Sequence, residues 1–568
     1  MPRAVGLGCM RLATDEAADR ERAVRVIRAG LDAGVTLLDT ARAYGESEAW
    51  IAEALDGRSD VRVVTKCGMR RPRGAWVPDG KQKSLRADAE ASRAALRVSA
   101  LDAVLLHAPD PTTKLATSVR GLEAIRAAGV ARAIGLSNVT RGQLDEARTI
   151  TEIAYVELAL SPFDEDAVRG GVVERCLERG ITVLAHSPLG GPKRAPSLGK
   201  RYAALGELAA RRGVSAASLA LAWLRDLHSA IIPIPGARTE TTATQAARAA
   251  SIALDDDERS ALDALFPIAA LVRTPRSSRR PAAPRAEVVV LMGMPAAGKS
   301  TRARELEAHG YERLNRDERG GTLLGLARLM EERLSAGVSK IVMDNTYPSR
   351  AQRNVVIEAA WAHGARVRGE WLDTAIEDAQ VNAVLRMLER HGELLSPEAI
   401  AKAAKRDPNT FGPRAQFRFR DALEPPDPDE GFEEVTRSTP VRPLFGDHER
   451  PGWIVDLAVL EASPERLAER APDERVLVLA WMPGADEASQ SALRARYADD
   501  HVDVGICAHP PGPPICWCRK PMPGLALAWM RAHRIAPHRT RLSGDGPLDR
   551  ALAARLGVAL EPDASSQT

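Results

Sequence analysis

The sequence predicts an α/β protein in which an eight-stranded parallel barrel is followed by two further α/β domains. Three observations carry that prediction. Eight short apolar runs alternate with amphipathic helical stretches before residue 268, a segment rich in Pro, Arg and Ser then breaks all periodicity, and an apolar strand beyond it leads straight into a glycine-rich loop. The 568 residues exceed what one hydrophobic core accommodates and suggest roughly three to four domains. With 45% hydrophobic and 27% charged residues and a formal net charge of +3, the chain has the composition of ordinary folded domains, and bulk charge selects no partner. No apolar run reaches the ~18 to 20 residues of a membrane helix, and the N-terminus MPRAVGLGCM lacks the order of a signal peptide. A cytoplasmic location without a membrane partner is expected.

The first element, residues 1–268, is built from GLGCM, VTLLD, VRVVTK, LDAVLLH, ARAIGLS, IAYVEL, ITVLAHS and AIIPIPG. Eight such runs, each followed by a longer segment, fit a TIM (β/α)8 barrel of ~250 residues. Chemistry in such barrels sits at the C-terminal ends of the strands, which places Asp39, Lys66 and His107 there, with Tyr44 just beyond Asp39. Reduction of a carbonyl by hydride requires an acid for the developing alkoxide, and a tyrosine serves when a nearby cation eases its proton loss. On this reading Lys66, held by Asp39, assists Tyr44, while His107 orients the carbonyl oxygen or relays a proton. Singly, each could instead be a solvated rim residue or a satisfied buried pair.

The runs DTARAYGESEA, VTKCG, LLHAPDP, IGLSN, HSPLG and IPIPGAR resemble the successive strand-end motifs of the aldo-keto reductases, over nearly all of residues 1–266. The resemblance implies Asp39, Tyr44, Lys66 and His107 as the catalytic set and Ser137 and Asn138 as holders of a nicotinamide carboxamide. Ser187, Leu189 and Gly190 would line the pyrophosphate path, and Gly236, Ala237 and Arg238 would bind the adenosine phosphate end. Arg238 favours NADPH, since a guanidinium pairs bidentately with a 2′-phosphate. Two residues depart from the family: Glu157 replaces the usual Gln beside the carboxamide, and Leu160 replaces an aromatic that stacks on the ring.

Residues 269–286, containing TPRSSRRPAAPRAE, read as a basic linker. The next element, residues 287–440, opens with EVVVLMGMPAAGKST, which sets a strand before Gly293-x-x-x-x-Gly298-Lys299-Ser300-Thr301. Backbone N–H groups of such a loop cradle phosphates at a helix N-terminus, the lysine reaches the β and γ phosphates, and the serine hydroxyl binds Mg²⁺. ATP or GTP binding follows, giving a P-loop NTPase α/β domain. Arg386 and Arg390 share one helical face at i, i+4 spacing, where they could close over a transferring phosphoryl group or form structural ion pairs with neighbours such as Glu389.

LNRDERGG, IVMDNTYPSR, NAVLRMLER and RAQFRFRDALEPPDPDEGF resemble the kinase domain of polynucleotide kinases. That implies Asp317 as the base for an acceptor hydroxyl and Asp344 as a positioner of acceptor or metal, with RNA or DNA ends as partners. A small metabolite is the alternative acceptor.

The last element, residues 447–562, carries Cys507-x-His509 and Cys516-x-Cys518, four soft and imidazole donors suited to a structural tetrahedral Zn²⁺. Cys9, Cys67 and Cys176 are scattered, and the six cysteines do not form the pattern of a disulfide framework. RKPMPG, LSGDGPLDRALAARLG and WIVDLAVLE resemble haloacid-dehalogenase-like phosphatases of the zinc-bearing bisphosphatase and histidinol-phosphatase type. The resemblance implies Asp456 as aspartyl nucleophile, Lys520 as phosphate holder and Asp545 as Mg²⁺ ligand. The expected acid/base two residues after the nucleophile is Ala458, however, and the expected hydroxyl after the next strand is Ala480. Loss of that acid removes a contribution worth ~10² to 10⁴ in rate, so a degenerate phosphatase fold kept as a scaffold or end-binding module is expected, with weak residual activity as the alternative.

The whole reads as an NADPH-dependent reductase of a small aldehyde or ketone, joined to an ATP-dependent kinase for a nucleic-acid 5′-hydroxyl. The competing reading is a nucleic-acid repair or binding protein whose barrel senses nicotinamide redox state without turnover.

Overall fold

The computed structural model describes residues 4–15, 19–440, 444–513, 515–544 and 546–561. The chain divides after Arg280 into two compact units. In the first, strands β1 (Leu7–Gly8), β2 (Leu37–Asp39), β3 (Arg62–Cys67), β6 (Leu101–Leu106), β7 (Ala131–Ser137), β8 (Tyr155–Ala159), β9 (Thr182–His186) and β10 (Ile231–Pro233) pair in that order, all parallel. A short antiparallel hairpin, β4 (Met69–Arg70) with β5 (Val77–Pro78), stands outside the sheet after β3. The barrel closes through Gly6 N–H to the Pro233 carbonyl, 2.9 Å, and Gly8 N–H to the Pro235 carbonyl, 3.0 Å. A Cβ at Gly8 would lie 3.1 Å from the Ile234 carbonyl oxygen, so glycine permits this seam.

Each of the eight apolar runs contains one barrel strand. Leu37, Val64, Ala103, Leu105, Tyr155, Leu184, Ile232 and Ile234 fill the barrel interior, while the opposite strand faces pack on the surrounding helices. Those helices start where the sequence supplies caps. Asp19 accepts from Arg22 N–H, Thr140 and Gln143 cap reciprocally, and Asp255 and Glu258 do the same.

The segment read as an irregular linker is in fact partly helical, over Ile268–Arg273 and Arg276–Arg279. Ile268 and Ala269 are buried in the barrel core, and Arg273 reaches Asp226 and Asp263, both at 3.1 Å. Arginine in this stretch is therefore bound to acidic partners on the barrel as well as solvated.

The second unit holds two five-stranded, all-parallel sheets. One runs β12 (Glu312–Leu314), β13 (Lys340–Asp344), β11 (Ala286–Met292), β14 (Ala365–Leu372), β15 (Val435–Ser438), and the other runs β18 (Val502–Cys507), β17 (Arg475–Trp481), β16 (Arg450–Asp456), β19 (Ile535–Ser543), β20 (Ala559–Glu561). In each, the first strand in sequence lies at the centre and the chain winds outward on both sides. The crevice at the C-terminal ends of such strands is where ligands bind. The sheets share a core: Val384, Leu385 and Leu388 of the helix Ile376–His391 pack with Trp517, Met522, Leu527 and Met530. The helix carries apolar residues on more than one face, which is why the segments expected at residues 287–440 and 447–562 share one core.

Candidate active sites

Strand parity assembles the first site. Side chains two residues apart on a strand point the same way, and Leu37, Val64, Leu105, Tyr155 and Leu184 point into the barrel. Asp39, Lys66, His107, Glu157 and His186 each follow one of these by two residues, so all five project into the C-terminal mouth. Lys66 is buried and donates to Asp39 Oδ1 at 2.5 Å and to the Thr40 carbonyl at 2.9 Å, with Glu157 Oε2 at 3.0 Å on its other side. Burial opposes the lysine charge, yet the carboxylates of Asp39 and Glu157 outweigh it and hold Lys66 protonated. The Tyr44 ring centroid lies 5.3 Å from the ammonium and 5.6 Å from the His107 ring, edge-on. Burial raises the phenol, and the lysine charge offsets part of that rise. Burial and the Lys66 charge lower His107 to about 3, so its imidazole is neutral at neutral pH.

The remaining barrel residues lie at the ends of the adjacent strands β7 to β10. Ser137 is buried, and Asn138, with φ of 57°, donates from Nδ2 to the His107 carbonyl at 3.0 Å. Ser187 and Gly190 are exposed with positive φ, Leu189 is half-buried, Gly236 is exposed at the seam, and Ala237 is buried. Arg238 is half-exposed and meets Asp15 at 3.1 Å. Glu157, expected beside the carboxamide, lies against the buried lysine. It contacts Lys66 and carries a carboxyl raised by burial and by Asp39. Leu160 is fully buried in the core.

Trp76, at the hairpin after β3, was not singled out from the sequence. Its ring lies 6.0 Å from Tyr44 and 5.7 Å from His107 and stacks 4.0 Å from the Arg71 guanidinium, yet it is 45% exposed. The only signal for it was a tryptophan in a polar loop following a strand tip. An exposed indole beside two polar side chains offers an apolar face at the barrel mouth.

The second site follows β11. Gly293 has φ of 146° and its Cβ would lie 2.6 Å from the Leu372 carbonyl oxygen, while Gly298, with φ of 101°, caps the helix Lys299–Ala308. Side chains brace the loop from behind: Gln416 donates to the Pro295 carbonyl at 2.9 Å, Asn382 to Ala296 at 3.1 Å and Thr374 to Ala297 at 3.0 Å. The loop's carbonyls are thus turned into protein. Lys299 is buried and donates to the Gly293 and Met294 carbonyls, both 2.8 Å. Ser300 and Thr301 open the helix, half-buried and exposed.

Asp344 closes β13 and is held by Arg313 at 2.7 Å and Asn315 at 3.0 Å. Asp317 is part-exposed beside Arg316 and acts electrostatically on both Lys299 and Arg386. The arginine pair divides. Arg390 is engaged with Asp407, whereas Arg386 forms no ion pair among the described residues and its buried Nε lacks a hydrogen-bond partner. Burial and Arg390 lower the Arg386 guanidinium. A largely buried cation without an anion is poised for one from outside.

The third site lies at the end of β16. Asp456 accepts from Ala458 N–H at 2.9 Å through Oδ1 and from Lys520 through Oδ2, and Lys520 also reaches Asp549 at 2.5 Å. Asp549 was missed from the sequence, while Asp545 falls outside the described residues. Ala480 is buried at the end of β17 and brings no hydroxyl. Nearby, Cys507, His509, Cys516 and Cys518 gather with donor atoms all within 4.8 Å of one another. Cys507 Sγ lies 3.8 Å from Cys516 Sγ, 3.4 Å from Cys518 Sγ and 3.5 Å from His509 Nδ1. A tetrahedral zinc with Zn–S of ~2.3 Å has edges of roughly 3.8 Å, so the cluster fits that ion.

Residues 4–266 match the aldo/keto reductase family. The N-terminal half is an aldo/keto reductase domain. Residues 288–406 match an AAA domain, the P-loop part of the second unit. Solved structures similar to the reductase domain include a thermostable aldo-keto reductase bound to the inhibitor epalrestat, 27% identical over 47% of this chain and 95% of that one, with a TM-score of 0.41. An aldo/keto reductase from Klebsiella pneumoniae with NADP and acetate is 28% identical over 46% of this chain and 91% of that one, TM-score 0.41. Glycerol dehydrogenase AKR11B4 from Gluconobacter oxydans is 27% identical over 48% and 93%, TM-score 0.42. Among the described residues no helix is long and apolar enough to cross a membrane.

Proposed function

We propose that the reductase domain reduces a small aldehyde or ketone with NADPH. The observation that carries this is the Asp39–Lys66–Glu157 clamp beneath Tyr44, facing a neutral His107 at the barrel mouth. A bound reduced nicotinamide would supply hydride to the carbonyl carbon. Ser137 and Asn138 would hold its carboxamide, Ser187, Leu189 and Gly190 the pyrophosphate, and Gly236, Ala237 and Arg238 the adenosine end, at the ends of β7, β9 and β10. Tyr44 donates its proton to the carbonyl oxygen, eased by the Lys66 charge, and His107 fixes that oxygen by donating a hydrogen bond from its neutral ring. NADPH oxidation followed across a panel of aldehydes and ketones tests the reading. Tight cofactor binding without turnover on any of them would instead support the redox sensor.

Trp76 would flank the carbonyl compound. Its replacement by Ala is expected to raise KM by roughly tenfold, the equivalent of ~1.4 kcal/mol of lost aromatic contact, with a smaller change in kcat. Equal KM values would remove Trp76 from the pocket.

The P-loop unit is proposed to transfer phosphate from MgATP to a hydroxyl, with Asp317 as base, Ser300 on Mg²⁺, Thr301 at the loop, and Lys299 and Arg386 on the phosphates. A nucleic-acid 5′-hydroxyl is the favoured acceptor and a small metabolite the other. Burial and the Arg386 charge bring Lys299 down to about 8 despite Asp344. Its charge is therefore present below about pH 8 and lost above it. ATP affinity is expected to fall roughly tenfold between about pH 7 and pH 9, measured by nucleotide titration.

The last segment is proposed as a degenerate phosphatase fold that binds phosphate ends. Asp456 and Lys520 are retained, but exposed Ala458 supplies no proton to a leaving group. Its four donors would hold one structural zinc, lost in Cys516→Ser. Metal analysis of the purified chain checks this, and a chain free of zinc would remove the site.

A further inference from the structure

Trp517 sits between two of the proposed zinc ligands, Cys516 and Cys518, and is 1% exposed. Its indole N–H donates to the Phe411 carbonyl at 2.9 Å, and its ring lies 6.4 Å from the Phe411 ring. The Phe411 ring centroid also lies 5.3 Å from the Arg386 guanidinium. Arg386 then donates from Nη2 to the Asn409 carbonyl at 2.8 Å and from Nη1 to Asn409 Oδ1 at 3.3 Å. Thus residues 407–412 form a short bridge whose one face is the metal loop and whose other face is the helix Ile376–His391. Two further contacts fasten it to that helix, Arg390 with Asp407 and His391 with Thr410 at 3.0 Å.

The helix is also the one that reaches the phosphate loop. Asn382, one turn before Arg386 on the same face, donates to the Ala296 carbonyl inside the loop. Arg386 is therefore fixed on three sides: by the helix, by the Asn409 carbonyl and by the aromatic pair that rests on the cysteine loop. Of these only the last leaves the P-loop domain. Cys507, His509, Cys516 and Cys518 gather around the loop that carries Trp517, and a bound metal would close that loop and hold the indole against Phe411 in addition to its packing in the shared core.

We propose that the Cys507–His509–Cys516–Cys518 cluster, when it holds zinc, positions Arg386 for phosphoryl transfer through Trp517 and Phe411, so that metal occupancy governs turnover but not nucleotide binding. The inference rests on the kinase and zinc readings above. Trp517 and Phe411 are positioning residues in it: neither touches nucleotide, and their effect passes through the orientation of one guanidinium. Displacement of such a group by about 1 Å is enough to lower turnover by up to ~10²-fold while ground-state binding persists.

The test uses the full chain. With zinc bound, Trp517→Phe keeps an aromatic in the core but loses the indole donor, and Phe411→Leu keeps bulk but loses the face beneath Arg386. Both are expected to retain zinc stoichiometry and the wild-type KM for MgATP within about twofold, and to lose kcat by tenfold or more toward a 5′-hydroxyl oligonucleotide. Hydrogen exchange supplies a reading independent of catalysis. Removing zinc from the wild-type chain with a chelator should speed exchange at the Asn409 and Thr410 amides, which are bonded to Asp407 at 3.0 and 2.9 Å, while strand β11 stays protected. Unchanged exchange at 409–411 on zinc removal, or zinc-loaded variants that transfer phosphate at the wild-type rate, would overturn the proposal. If the wild-type chain transfers no phosphate to any acceptor, the kinase reading fails, and the exchange measurement alone decides whether metal loop and bridge are linked.

Discussion

Tyr44→Phe is expected to lower NADPH-dependent carbonyl reduction by about 10² to 10⁴-fold while the cofactor Kd stays within about twofold. On the proposed mechanism the hydroxyl gives a proton to the reacting oxygen, and neither His107 nor Lys66 replaces it. His107 is neutral, held so by burial and by Lys66, and gives up its proton only to a far stronger base than a carbonyl oxygen. Lys66 is fully enclosed by Asp39, Glu157 and the Thr40 carbonyl, and its ammonium is held charged. Loss of this proton donor is therefore not covered by His107 or Lys66. Phenylalanine keeps the ring against Trp76 and His107, so the fold and the cofactor rim on β7 to β10 remain intact. A stopped-flow trace of NADPH oxidation, together with cofactor titration by fluorescence, separates the two quantities. Retained turnover would remove Tyr44 from its role.

How much of this site was legible follows from strand geometry. A strand fixes side-chain direction with period two, and the barrel puts the last inward position of each strand at the mouth, so Asp39, Lys66 and His107 could be read directly from the runs that end in them. The same parity applied to Tyr155 and Glu157 would have aimed Glu157 inward. Its contact with Lys66 could not be read, because that depends on the distance between β3 and β8 across the barrel, a property of closure and not of either strand. Trp76 was hidden for another reason: it sits on a loop, where no period relates position to direction. At the third site Asp549 lies beyond a glycine-proline turn, on the first turn of the helix Pro547–Leu556, so its approach to Lys520 depends on how the helix leaves the sheet. The shared core of the second unit was similarly invisible, since a helix with several apolar faces does not name its partners in sequence.

The second large effect concerns the P-loop unit. Asp317→Ala is expected to reduce phosphoryl transfer from labelled MgATP to a 5′-hydroxyl oligonucleotide by about 10² to 10⁴-fold, with MgATP affinity nearly unchanged. Asp344 and Asp317 both act electrostatically on Lys299, and their surroundings separate them. Asp344 is buried and already bound by Arg313 and by the Asn315 amide, so its lone pairs are committed. Asp317 is on the first turn of a helix, part-exposed, with Asn315 Oδ1 accepting the Asp317 backbone N–H at 2.7 Å and, among the described residues, Arg316 as the ion-pair partner of its carboxylate. It keeps an oxygen free for an incoming hydroxyl while remaining within the electrostatic reach of Lys299 and Arg386. A base in that position removes the acceptor proton as the bond to phosphorus forms, and its loss leaves the nucleotide cradle untouched. Running the assay against a small polyol in parallel with the oligonucleotide distinguishes the acceptor classes. Transfer that persists in the Asp317→Ala chain with either acceptor would assign the base elsewhere.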